Sequence, residues 1–85
     1  MSPIPSVVSS GNLLAAVVEN DFTIDGNLPQ GFLFASVKNV GNEIITVNGV
    51  PLIQGEAKTY PFVGKGYPSL SFQVNGSTLR VMTIS

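Results

Sequence analysis

The chain of 85 residues contains no cysteine and no histidine. These absences exclude disulfides and the thiolate and imidazole ligands of zinc sites. They also exclude the familiar catalytic triads and dyads, in which a base must activate the nucleophile. Five carboxylates remain, and all of them lie beside predicted turns or a predicted loop, where solvated side chains are usual. We therefore predict that the protein is not an enzyme and binds no cofactor.

Charged residues are scarce as well. They make up only 11% of the chain, against about 25% in an average soluble domain, whereas 44% of the residues are apolar and the mean hydropathy is +0.35. A chain this short buries only about 60% of its unfolded surface, so its core needs a supplement, and oligomerisation is the one that remains. We interpret the apolar surplus as surface covered by other copies and predict a homo-oligomer, a trimer or larger. The alternative is a neutral monomer coated with Ser, Thr, Asn and Gln.

Long apolar runs and clustered cations are also missing. The longest apolar run, "LLAAVV" at 13–18, falls short of the roughly 18 residues that a membrane span needs. The N-terminus lacks a basic region, so we expect no signal peptide and no membrane span. The net charge is −1, and the scattered cations predict no nucleic-acid surface; they are Lys38, Lys58, Lys65 and Arg80.

Proline and serine are concentrated at the N-terminus. Residues 1–12 hold two prolines and four serines, and proline biases its neighbours towards extended geometry. We predict that this segment is an extended arm whose Ile4, Val7 and Val8 lie along a neighbouring subunit; the alternative is a frayed tail. Residues 13–85 are predicted to form a single domain.

Strand patterns dominate the rest of the chain. "LLAAVVENDF" at 13–22 is compatible with a buried strand or a short helix, and its valines favour the strand. "DGNLPQG" at 25–31 predicts a loop, and "FLFASVKN" at 32–39 alternates as a strand does. Strands with turn signals every 8 to 12 residues indicate an all-β fold, a small antiparallel β-sandwich or barrel of six to seven strands.

Two Asn-Gly pairs predict hairpins with two-residue turns, because such turns need a positive φ at both central positions. The pair at 48–49 should set Val47 against Val50 and Ile45 against Leu52. The pair at 75–76 should set the strand before it against the strand after it, because apolar and polar faces then agree on both strands; the predicted apolar pairs are Phe72 with Leu79 and Leu70 with Val81. Pro51 and Pro61 predict edge strands or strand ends, since proline cannot donate to a ladder.

Aromatic residues gather in "YPFVGKGYP" at 60–68, the best candidate for a contact surface. We select Tyr60, Phe62, Lys65 and Tyr67, because aromatic side chains serve protein interfaces and sugar platforms alike. The alternative is that the loop packs over one end of the core. A second polar stretch, "ENDFTIDGN" at 19–27, offers oxygen ligands for a hard cation such as Ca²⁺, but it lacks EF-hand spacing, and we favour a polar strand end followed by a turn.

Two segments resemble known proteins. "VKNVGNEIITVNGVPLIQGEAKTYPF" at 37–62 is similar to small immunoglobulin-like modules of bacterial and phage surface proteins. Together with "GKGYPSLSFQVNGSTLRVMTIS" at 64–85, it makes the chain resemble short bacteriophage structural proteins with an immunoglobulin-like or jelly-roll-like β-sandwich. The resemblance implies a self-assembling virion component in the capsid, spike or tail, built in the host cytoplasm and in contact with other virion proteins.

A second function from another class stays open. The aromatic loop at 60–68 is also what a β-sandwich module would use to bind a carbohydrate or a peptide, with Tyr60, Phe62 and Tyr67 as the contact residues. Titration with glycans separates this hypothesis from the structural one.

Overall fold

A computed structural model describes residues 14–85, which form eight β-strands and no helix. The predicted arm at 1–12 and the domain boundary at residue 13 lie outside the described residues. In chain order the strands are β1 Val17–Phe22, β2 Gly26–Leu28, β3 Phe34–Asn39, β4 Ile45–Val47, β5 Val50–Leu52, β6 Ala57–Tyr60, β7 Leu70–Gln73 and β8 Leu79–Ile84. Across the described range, no helix is long and apolar enough to cross a membrane.

The strands form two antiparallel sheets of four. The first sheet has the order β1-β8-β3-β6 and the second the order β2-β7-β4-β5. The all-β prediction is confirmed, but the strand count is eight rather than six or seven. The additional strand, β2, lies within the segment predicted as a loop at 25–31. It has only three residues, too few for a period of two to show in the sequence.

Both sheets contribute to one hydrophobic core. Inward side chains alternate along the strands, as in β7, where Leu70 and Phe72 are buried and Ser71 and Gln73 are exposed. The buried apolar residues form a single cluster: Leu28, Phe32, Ala35, Val37, Ile45, Val47, Leu52, Tyr60, Leu70, Phe72, Val74, Leu79 and Val81.

The first Asn-Gly hairpin is confirmed, including its register. Asn48 and Gly49 have φ values of 52° and 78°, as a two-residue turn of this type requires. Strands β4 and β5 pair Val47 with Val50 and Ile45 with Leu52. Pro51 lies in β5, which is an edge of the second sheet, so its missing N–H removes no ladder bond.

The second predicted hairpin is wrong, although its turn forms. Asn75 and Gly76 have φ values of 51° and 87°, and the Ser77 N–H donates to the Val74 carbonyl at 2.8 Å. The two strands then part: β7 pairs with β2 and β4, whereas β8 pairs with β1 and β3. Alternation identifies the apolar face of a strand but not its neighbour. Here the two apolar faces meet across the core from opposite sheets instead of lying side by side.

Most connections cross between the sheets. Of the seven connections that join the eight described strands, only the turn between β4 and β5 stays within a sheet. Pro61 directly follows β6, an edge of the first sheet, which confirms that prediction too. The remaining edges, β1 and β2, belong to different sheets.

A buried polar residue connects several of these crossings. Asn39, at the end of β3, is fully buried. Its side-chain nitrogen Nδ2 donates to the carbonyl of Glu43 at 2.6 Å and to that of Leu52 at 2.8 Å. Its Oδ1 accepts from the Gly41 N–H at 3.1 Å and from Ser77 Oγ at 2.7 Å. The amide is therefore fully hydrogen-bonded and joins β3 to β5 and to the turn between β7 and β8.

Candidate contact surface

The four residues predicted as a contact surface do not share one surface. Tyr60 is 9% exposed and belongs to the core, and Tyr67 is half-buried against it. Phe62 is 64% exposed, and Lys65 is also exposed. The aromatic rings of the loop are therefore divided between packing and surface.

Tyr67 closes the loop between β6 and β7. Its ring stacks on Phe32 with a centroid distance of 5.0 Å and an interplanar angle of 3°, and meets Tyr60 edge-on at 5.7 Å. Its hydroxyl donates to the Pro61 carbonyl at 2.6 Å, and its backbone carbonyl accepts from the Gly31 N–H at 2.8 Å. These contacts agree with the alternative interpretation, in which the loop packs over one end of the core.

Truncation of the two aromatic types should therefore have different effects. Tyr67→Ala should lower the free energy of unfolding by about 2 kcal/mol, because it removes a half-buried stacked ring and a hydrogen bond. Phe62→Ala should change it by less than about 0.5 kcal/mol, as expected for an exposed side chain. Denaturant unfolding at one fixed protein concentration measures both. Equal effects of the two variants would contradict the packing role of Tyr67.

The carboxylates have separate structural partners. Asp25 Oδ1 accepts from the Val74 N–H at 2.9 Å, and Glu56 Oε1 accepts from the Ile53 N–H at 2.9 Å. Asp21 pairs with Arg80 across β1 and β8, with 3.0 Å between Oδ1 and Nε. The two aspartates of the stretch at 19–27 thus bind different partners. Residues 14–85 contain no cluster of three or more potential metal ligands.

The ion pair of Asp21 and Arg80 shifts the pKa of both residues. The hydrogen bond from Arg80 holds the pKa of Asp21 below its ordinary value of 3.8, and the same bond raises the pKa of Arg80. A carboxyl whose folded pKa is depressed stabilises the fold above its unfolded pKa and loses that contribution as the pH falls through the folded value. Because both groups are exposed to solvent, the contribution is small.

An apolar row crosses the outer face of the first sheet. The strand register aligns Val17 of β1 with Ile84 of β8 and Phe34 of β3, and Pro61 continues the row beside β6. Val17 is 57% exposed, and Ile84 and Phe34 are half-buried. We call these four residues the apolar row. Phe62, which follows Pro61 in the chain, is exposed as well.

Polarity increases along this face away from the apolar row. The next aligned residues are Glu19, Met82, Ser36 and Thr59, and the last are Asp21, Arg80, Lys38 and Ala57. Charges therefore gather at one end of the sheet and apolar side chains at the other. An outer face with one apolar end and one charged end suits a contact that has a defined orientation.

The second sheet differs in charge. None of its four strands contains an Asp, Glu, Lys or Arg residue. Its outer face carries Asn27, Thr46, Pro51, Ser71 and Gln73, all with uncharged side chains. Two isoleucines next to the strands, Ile44 and Ile53, are each 54% exposed. This face is uncharged and combines polar side chains with Pro51 and the two neighbouring isoleucines, whereas the apolar row is hydrophobic along its whole width.

A groove opens between the two sheets on the side of β1 and β2. Val18, Asn20 and Phe22 of β1 line one wall, and Leu28 with the following loop lines the other. Val81 of β8 also lines the groove, whose volume is about 400 Å³. Among residues 14–85, no charged side chain lines it. The core is thus accessible from this side, where both sheets end in an edge strand.

Comparisons with known proteins give no relative from which a site can be transferred. No family model matches the chain, and no curated protein and no solved structure matches it either. Any functional conclusion therefore depends on the surfaces described above.

Proposed function

We propose that the protein is a non-enzymatic structural subunit that assembles with copies of itself through the outer face of its first sheet. The observation that carries this proposal is the apolar row. Val17 and Pro61 at its ends are exposed, and Phe34 and Ile84 between them are partly exposed. Contiguous exposed apolar surface on a small domain marks an interaction site. In the assembly, a second copy covers this row. The contact adds buried apolar surface to the small core of an 85-residue chain that has no disulfides.

The arrangement of the first sheet favours a closed assembly. Its edge at β6 ends in Pro61, and such a proline blunts unlimited pairing of strands between molecules. The charged end, with Asp21 and Arg80, restricts the orientations in which a partner can cover the apolar row. A contact between two different patches builds a ring when its rotation closes, and a ring multiplies a weak contact into a stable assembly.

The two sheets and their shared core support a small β-sandwich as the architecture of the subunit. In combination with the resemblance of 37–62 and 64–85 to phage modules, this architecture leads us to propose a virion component, as a capsid decoration, a spike or a part of the tail. Other virion proteins are then its partners, together with its own copies, and assembly takes place in the host cytoplasm. The extended arm at 1–12 belongs to the same proposal.

A lysine in the apolar row tests the assembly. Val17→Lys should convert the oligomer into monomers and weaken self-association at least a hundredfold, because an unpaired charge at a covered position costs several kcal/mol. Ile53→Lys is the matched control, since Ile53 is exposed to nearly the same extent (54% against 57%) but lies at the second sheet. Light scattering after size exclusion, over a dilution series, gives the molar mass of each chain.

Two results would contradict the proposal. If the wild-type chain is a monomer at micromolar concentration, its apolar row does not bind a second copy. Dissociation by Ile53→Lys with an intact Val17→Lys oligomer would move the contact to the second sheet.

The alternative function, binding of a carbohydrate or a peptide through the aromatic loop, is favoured by one observation: Phe62 and the neighbouring Val63 are 64% and 59% exposed. Tyr60 and Tyr67 pack inward, so a binding platform there would consist of Phe62 and Lys65. Titration with a glycan panel tests this alternative, and Phe62→Ala should abolish any binding that Tyr67→Phe preserves.

A further inference from the structure

We propose that the groove between β1 and β2 receives the N-terminal segment of a second copy, with Ile4, Val7 and Val8 as the inserted side chains. This inference deepens the proposed function and depends on it, because it adds a second contact to the same assembly. The groove and the segment match in chemistry, in size and in position.

The chemistry matches because neither side carries a charged side chain. The groove is lined by uncharged side chains throughout the described residues, and the first charged side chain of the sequence is Glu19. A segment that has aliphatic residues and no charged side chain differs from most solvated tails, which are usually rich in charge. Its serines can hydrogen-bond where its aliphatic side chains enter the groove, which itself offers Asn20, Thr83 and Ser85 as polar partners.

The volume of the groove suits several aliphatic side chains. An apolar cavity of about 150 Å³ holds one benzene molecule, and the groove has about 400 Å³. Its edges also offer backbone groups, because β1 and β2 are the terminal strands of their sheets. A segment laid along the groove would therefore bury its side chains against Val18, Phe22 and Leu28 and face unpaired strand edges.

The position of the segment favours a second copy over the same chain. Ala16 and the C-terminal Ser85 exchange both backbone hydrogen bonds, at 2.8 and 3.0 Å. Leu14 therefore lies past the end of the sheet, where it is 72% exposed. The groove runs from Ser85, beside Ala16, along β1 to Phe22, so a chain would have to reverse its direction ahead of β1 to place its segment in its own groove. Thirteen extended residues span about 45 Å, more than twice the length of a six-residue strand, about 20 Å. The segment is thus long enough to reach a neighbouring groove.

Cysteine pairing tests this contact cleanly, because the natural chain has no cysteine. A Val7→Cys chain and an Asn20→Cys chain, one of them labelled with ¹⁵N, are mixed, left to exchange and oxidised. Asn20 lines the groove and is exposed. The matched control is Asn27→Cys, because Asn27 is exposed on the outer face of the second sheet and its side chain points away from the groove, opposite to Leu28 of the same strand. Mass spectrometry identifies disulfides that join a labelled chain to an unlabelled one.

Docking raises the local concentration of the two thiols to the order of millimolar. At about 10 μM chain we therefore expect the 7–20 disulfide between chains to form roughly a hundred times faster than the 7–27 disulfide. Equal rates for the cysteines at 20 and 27 would overturn the proposal. A Val7→Cys, Asn20→Cys double variant that closes only within one chain would overturn it too, because the segment would then fill its own groove.

The same samples separate this inference from the proposed function. Light scattering reports whether the wild-type chain assembles at all. If the chain assembles but the 7–20 disulfide does not form, the N-terminal segment does not bind in the groove. The proposed contact through the apolar row is then unaffected. A wild-type monomer would overturn both.

Discussion

Asn39→Ala should lower the free energy of unfolding by about 4 kcal/mol, a large part of the 5 to 15 kcal/mol that is typical of a whole domain. The side chain makes four hydrogen bonds in a fully buried position. Its removal takes away the acceptor of the buried Ser77 hydroxyl and one donor to the Leu52 carbonyl. Each orphaned buried group costs about 1 to 3 kcal/mol, and the cavity left by the amide adds to that.

Denaturant unfolding at one fixed protein concentration measures this loss, because the stability of an oligomer depends on concentration. Asn42→Ala is the control: Asn42 is exposed and lies in the loop that follows Asn39. Asn42→Ala should change the free energy of unfolding by no more than about 0.5 kcal/mol. Asn39→Asp should be at least as harmful as the alanine variant, since it replaces two donated hydrogen bonds with a buried charge. A loss below 1 kcal/mol in Asn39→Ala would show that the amide does not hold these segments together.

The second large effect is expected from Gly41→Ala, with a loss of about 3 kcal/mol. A Cβ at this position would overlap Ser77 Oγ and lie 2.7 Å from the Thr78 backbone nitrogen. The nitrogen belongs to the backbone of the turn between β7 and β8, so it cannot move aside as a flexible side chain can. The turn would have to shift away from the loop that follows β3, and the hydrogen bond between Ser77 and Asn39 would be lost as well.

A second glycine gives the control. Gly64 has a φ of +92° and nothing within 4 Å of an added Cβ, so Gly64→Ala tests backbone strain without a collision. Strain of that kind costs about 1 to 2 kcal/mol. Adding Ser77→Ala to Gly41→Ala should recover part of the loss, which a double-mutant cycle measures as a coupling energy. A Gly41→Ala loss no larger than that of Gly64→Ala would contradict the predicted collision.

The two Asn-Gly turns show what the sequence can and cannot predict about this fold. Both turns form with the expected positive φ values, because that preference is local to the pair. The strands around Asn48-Gly49 stay together, whereas those around Asn75-Gly76 separate into different sheets. Both outcomes bury the apolar faces of β7 and β8. The choice depends on β2, β3 and β4 as competing neighbours, and no local pattern encodes that competition.

The interaction surfaces have the same limitation. Asn39 resembles a turn residue in the sequence, because the partners of its side chain at Leu52 and Ser77 are 13 and 38 residues away. The apolar row exists only because β8 lies between β1 and β3, which brings Val17 and Phe34 to either side of Ile84. The composition did indicate surplus apolar surface. Its location required the strand order.

The crossing of the chain between sheets determines how the molecule can fold. Neither sheet can be completed from a continuous piece of sequence, because six of the seven connections between the described strands leave the sheet in which they start. The turn at 48–49 is the one element able to form early, within about 1 to 10 μs. All other strands must wait for distant partners, a topology that folds in milliseconds to seconds. A newly made chain therefore exposes its apolar strands until nearly the whole sequence is present, and then gains both sheets in one cooperative step.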